Sequence, residues 1–130
     1  MTSRRGLQAT LAAIGAVATV AGTSGVLRGA AEVVGGGPVS ARVDSEYRFY
    51  AAWYPVFGVL LLRAAHQPER EALIVRAGAA GFLIAACGRV LSIRRLGQPN
   101  SLQKVLMALE FAIPAVIIPW QAKLGGDRPG

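Results

Sequence analysis

Four apolar runs separated by short, polar, breaker-rich stretches set the pattern of this chain. The first, Leu7 to Leu27, carries no charged residue. The second begins near Tyr47, the third at Ala72 and the fourth at Leu102. Each comes close to the roughly 20 residues that a helix needs to cross a bilayer core. None shows the polar stripe of a helix with one face in water. In lipid the backbone must satisfy its own hydrogen bonds, which at this length means helices. The pattern therefore predicts an all-α integral membrane protein, a four-helix up-down bundle with short loops. Its helices are expected over residues 7–27, 47–64, 72–94 and 102–121, in one domain over 1–124, with a disordered tail at 125–130.

Glycine and proline punctuate the gaps: "GGGP" at 35–38, "HQPERE" at 66–71 and "RRLGQPNS" at 94–101. Leu27 to Val34 reads as a short interfacial helix. Pro55 is expected to kink the second helix, and Pro114 and Pro119 to bend or end the fourth. The first run is too long for a signal-peptide core, and no A-x-A site precedes Arg28, so a retained first helix is expected.

Composition agrees. The chain is 53% hydrophobic and 16% charged, against about a quarter charged for a soluble domain. Its net charge of +7 comes from residues that flank the apolar runs, as residues facing lipid headgroups do, and not from a nucleic-acid-binding patch. A multi-pass membrane protein is expected. With the N-terminus inside, Arg4, Arg5, Arg63, Arg70, Arg76, Lys123 and Arg128 face the cytoplasm. Arg28, Arg42, Arg48, Arg94, Arg95 and Lys104 then face outward. The Arg4–Arg5 pair beside the first helix favours both termini inside.

Charges inside the runs are the candidate chemistry, because an unpaired charge in hydrocarbon costs about 2.5–3.5 kcal/mol or more. Glu46 and Arg48 stand at the mouth of the second helix. Arg89 lies near the end of the third, and Glu110 about two turns into the fourth. Counted at about 1.5 Å per residue, Arg89 and Glu110 fall at similar depth. These four are expected to form one buried polar cluster at the end capped by loops one and three. It either locks the helices together, or recognises a headgroup, a polar ligand or a proton, or meets another protein. Arg76, one turn inside the third helix, is expected to snorkel to the interface.

Six of the nine aromatics lie between residues 47 and 57. Tyr47, Tyr50, Trp53 and Tyr54 read as an interfacial belt, with a pocket wall as the alternative. Gly25 and Gly29 form a GxxxG, and Ala77, Gly81 and Ala85 a small-residue ladder, both suited to close helix packing inside the bundle or against a partner. Cys87 is alone and His66 is the single histidine, so neither a disulfide, a metal site nor a cofactor is expected. No nucleophile elbow or phosphate-binding loop occurs, and an enzyme is not expected.

The stretches "SEYRFYAAWYPVFG", "RVLSIRRLGQP" and "LEFAIP" resemble the domain of unknown function 4345 family, small bacterial four-helix membrane proteins. The resemblance rests on Ser45, Glu46, Arg48 and Phe49, on Arg89, Ser92, Gly97 and Pro99, and on Glu110. It implies the fold, similar to DoxX-like proteins, and no activity. The Ala, Gly, Val and Arg bias is that of a high-GC bacterium such as an actinobacterium. Two functions fit. One is a non-enzymatic accessory or assembly subunit of a larger envelope complex, for instance one that moves lipids. The other is a small ligand- or lipid-binding transport bundle using the Glu/Arg cluster. Expected partners are membrane lipids and either a membrane protein or a second copy of the chain, with no nucleic acid.

Overall fold

The computed structural model describes residues 2–33, 37–97, 99 and 101–126. They form five α-helices and one short 3₁₀ turn: α1 (Thr2–Arg28), the turn (Ala30–Glu32), α2 (Ala41–Ala51), α3 (Trp53–Ala64), α4 (Ala72–Leu96) and α5 (Ser101–Gly126). Three of them, α1, α4 and α5, are long and apolar enough to cross a membrane. The fold is all-α, as the apolar pattern predicts.

Three boundaries differ from the sequence expectation by five residues or more. The first helix starts at Thr2, not Leu7. The second helical segment starts at Ala41, not near Tyr47, because Ser40 caps it by accepting a hydrogen bond from the Val43 N–H. Segment "ARVDSEY" is polar, so hydrophobicity misses it. The fourth helix runs on past both Pro114 and Pro119 to Gly126, so neither proline ends it. Residues 125 and 126 of the expected tail are therefore helical, and 127–130 lie outside the described residues. In place of an interfacial helix over 27–34 there is only the 3₁₀ turn, closed by Val33 N–H to the Ala30 carbonyl; Val34 lies outside the described residues.

The chain divides into two compact units, Met1–Leu7 with Gln67–Gly130, and Gln8–His66. In the second unit α1 meets α2 and α3 through glycine. A Cβ on Gly15 would stand 2.7 Å from the Gly58 carbonyl oxygen, and one on Gly58 would stand 2.6 Å from that of Gly15. A Cβ on Gly22 would collide with Pro55 and Tyr54. The backbones thus touch, as small residues allow. Pro55 lacks an N–H, so Ala51 loses its helical donor and the segment breaks at Ala52. Pro55 then falls in the first turn of α3, where no intrahelical donor is required.

In the first unit α4 packs along α5. Buried on α4 are Val75, Gly78, Ala79 and Ala86, and on α5 Glu110, Pro114, Ile117 and Gln121. The α5 set follows helical spacing and forms one seam. Its middle is apolar and both ends are polar.

The glycine contact gives a direct test. Gly58→Ala should destabilise the protein by about 1–3 kcal/mol, the usual cost of overpacking, read as thermal unfolding in detergent. Gly88→Ala, with nothing within 4 Å of its Cβ among the described residues, should be neutral or slightly stabilising. Equal behaviour of the two variants would remove the contact as a determinant of stability.

Candidate functional site

The α4–α5 unit places a charged pair at one end of its seam. Arg89 grips Glu110 with both edges of its fork: Nε donates to Oε2 at 2.6 Å and Nη2 to Oε1 at 2.9 Å. Nη1 donates to Gln103 Oε1. Glu110 is 6% exposed while Arg89 is part-buried, and this geometry offsets the desolvation of the carboxylate. Next to the pair is a small open pocket lined by Arg89, Ser92, Ile93, Gly97, Pro99, Gln103 and Met107. Gly97 closes α4 with φ +93 and donates its N–H to the Ile93 carbonyl at 2.9 Å, a left-handed turn that glycine allows.

The other end of the seam holds a second polar group that hydrophobicity does not reveal. Gln121 is 1% exposed; its Oε1 accepts from Arg76 Nε at 3.0 Å and its Nε2 donates to the Pro68 carbonyl at 3.2 Å. Arg76 is thus tied to a buried amide and does not simply snorkel. Around it, Arg4 holds Glu69 with two contacts of 3.2 Å, and Trp120 Nε1 donates to Ser3 Oγ at 2.7 Å. One signal was present: Gln121 lies eleven positions after Glu110, close to three full turns and so on the same face.

The four residues expected in one cluster are divided between the units. Arg89 and Glu110 pair in the first. Glu46 and Arg48 belong to the second, where the carboxylate partner of Arg48 is Asp44, at 2.8 Å one turn away, and Glu46 is exposed. Local (i, i+4) pairing accounts for that choice. Arg48 Nη1 also donates to the Val26 carbonyl at 2.6 Å, and Asp44 Oδ1 accepts from the Ala30 N–H at 2.8 Å. Together they cap the carboxyl end of α1, whose last carbonyls have no helical donors and whose dipole favours a cation. Gly29, at φ +84, turns the chain here, and a Cβ on it would strike Asp44 and Arg48. The Arg48 guanidinium, and after it the Ala30 N–H, hold the Asp44 carboxyl below the ordinary carboxylate range.

The aromatics spread over one exposed surface. Tyr47 is half-buried with its ring near Gly25, whereas Tyr50, Trp53 and Tyr54 are exposed. Phe49 meets Tyr50 and Trp53 edge to face, with centroids 5.3 and 6.3 Å away. Of the expected small-residue contacts, Gly25 lies against Ala51. On α4, Ala77 and Gly81 are exposed and Ala85 half-buried, so that ladder is not the inner face; Val75, Gly78, Ala79 and Ala86 are. Among the described residues no group of three or more His, Cys, Asp or Glu is placed to hold a metal ion.

A family model described as Domain of unknown function (DUF4345) matches residues 6–121. No curated protein and no solved structure matches the chain.

Two outcomes follow from these pairs. Arg89→Gln, which strands the buried Glu110 carboxylate, should lower stability by about 3–5 kcal/mol, and Glu110→Gln, which strands the part-exposed Arg89, by less. The double variant should cost clearly less than the two single costs combined; strict additivity in detergent unfolding would show that the pair carries no coupling. For Asp44, a carboxyl held low in the folded chain adds stability above its unfolded pKa, and this is lost as pH falls through the folded value. The stability difference between wild type and Asp44→Asn should be constant near neutrality and close below about pH 4. A difference that persists in acid would mean the ion pair is not its source.

Proposed function

The chain belongs to the family of the domain of unknown function (DUF4345), and on that premise we propose that it is a non-enzymatic integral protein of the bacterial inner membrane, an accessory subunit of a larger envelope complex. The observation that carries this reading is on α4. Ala77 and Gly81 stand exposed on the helix, and among the described residues nothing lies within 4 Å of a Cβ built on Gly81. A partner helix can approach such a row to backbone distance, where dispersion and weak hydrogen bonds replace the hydrophobic drive. Large apolar side chains are exposed as well, among them Val20, Leu73, Ile84 and Val116. In water they would be an aggregation hazard; in lipid, or against another membrane helix, they are solvated.

The transport reading draws less support. A carrier that uses one intramembrane carboxylate needs that group available to a proton or cation, whereas both oxygens of Glu110 are held by Arg89. The arginines beside the first span favour a cytoplasmic N-terminus. A complex that handles lipids is the first class in which to seek the partner, since short connections leave the helix faces as the working surface.

Purification in mild detergent tests the proposal. A stoichiometric membrane partner should accompany the wild type, be lost from Gly81→Leu and be kept by Leu73→Ala. A lone homodimer, or a complex of unchanged size with Gly81→Leu, would overturn it.

A further inference from the structure

The end of the α4–α5 hairpin carries charge that neither polar pair uses. Arg94 and Arg95 in the last turn of α4 and Lys104 in the first turn of α5 are exposed. Residues 90–109 contain no Asp or Glu, so nothing in this stretch balances them. Arg89 is different, because Glu110 already neutralises it. At about 90 Å³, the pocket bounded by Ser92 and Gln103 is far below the roughly 300–1,000 Å³ that encloses a drug-sized molecule. It admits a small polar group and leaves the body of a larger ligand outside. The level is also set: α4 has 25 residues, which at 1.5 Å each span about 37 Å, more than the roughly 30 Å hydrocarbon core. Its last turn therefore reaches the headgroups.

We propose that this hairpin end binds the phosphate of an anionic membrane lipid. Arg94, Arg95 and Lys104 supply the attraction, and the Ser92 hydroxyl and Gln103 amide line the recess that takes the phosphate oxygens. The acyl chains lie along the exposed apolar side chains nearby, such as Leu91 and Leu102. A zwitterionic lipid carries the same phosphate with its own ammonium, so the three cations discriminate by net charge. This inference needs the chain to sit in a membrane and does not depend on a protein partner.

The test is native mass spectrometry of the full chain in detergent with equimolar phosphatidylglycerol and phosphatidylcholine. Wild type should retain phosphatidylglycerol preferentially. Substituting Arg94→Gln, Arg95→Gln and Lys104→Gln should weaken that retention about fivefold for each charge removed. Removing three exposed cations elsewhere, Arg5→Gln, Arg42→Gln and Lys123→Gln, should leave it intact. Ser92→Phe, which fills the recess, and the milder Ser92→Val, which deletes the hydroxyl, should both lower retention, with thermal unfolding reporting that each is folded. Equal retention of the two lipids by wild type, an equal loss in the control triple, or no effect of either folded Ser92 variant would overturn the proposal.

Discussion

A polar group inside an apolar helix pair must bring a polar partner with it, and the α4–α5 unit is organised by that requirement. The pairing of Arg89 with Glu110 at one end of the seam is matched by Arg76 with Gln121 at the other. Between them the α5 seam is Pro114 and Ile117, apolar and tolerant of sliding. A slide by one residue turns a helix by about 100° and would part both polar pairs at once. Dispersion holds these helices close; the two arginines fix which residues meet. That is the registry role for which buried polar groups are best attested.

The Gln8–His66 unit brings its helices together by another means. Its helices meet where glycine removes the side chain altogether, at Gly15 and Gly58. Its Arg48–Asp44 pair sits instead at a helix end, where Arg48 donates to the Val26 carbonyl that α1 leaves open and Asp44 accepts from the Ala30 N–H just beyond it. The crowd of charges at the mouth of the second segment is thus a cap. In the adjoining aromatics Phe49 meets Tyr50 and Trp53 edge to face, and all three rings are exposed.

What was legible in the sequence follows from which forces act locally. Four apolar runs announce four helical segments because hydrophobicity dominates at that scale. The pairing of Arg89 with Glu110 could be read from depth alone, since each has no nearer partner of opposite charge on its own helix. Arg48 could not be placed that way, because Asp44, one turn back, competes and wins. Gln121 escaped notice because an uncharged amide near the end of an apolar run looks like the edge of the membrane. The Ala77–Gly81–Ala85 row suits packing inside the bundle or against a partner, and because small residues line several sides of α4, composition alone does not say which of them faces α5. Of the two outcomes expected at Pro114 and Pro119, an end to the helix does not occur, because in lipid a helix has no better conformation to adopt once a single donor is missing.

One feature of the first unit bears on how the protein is made. Its contacts join the very start of the chain to its far end, Ser3 to Trp120 across a separation of 117 residues. At ribosomal speeds of about 5–20 residues per second, the first turn of α1 waits roughly 6–25 s for that partner. Arg4 waits as well, because Glu69 is also made later. During this interval Arg4 and Arg5 are bare cations next to a newly emerged apolar span, in the state in which the insertion machinery weighs flanking positive charge. The clasp that Arg4 forms with Glu69 in the finished unit is therefore open for as long as Glu69 is unmade.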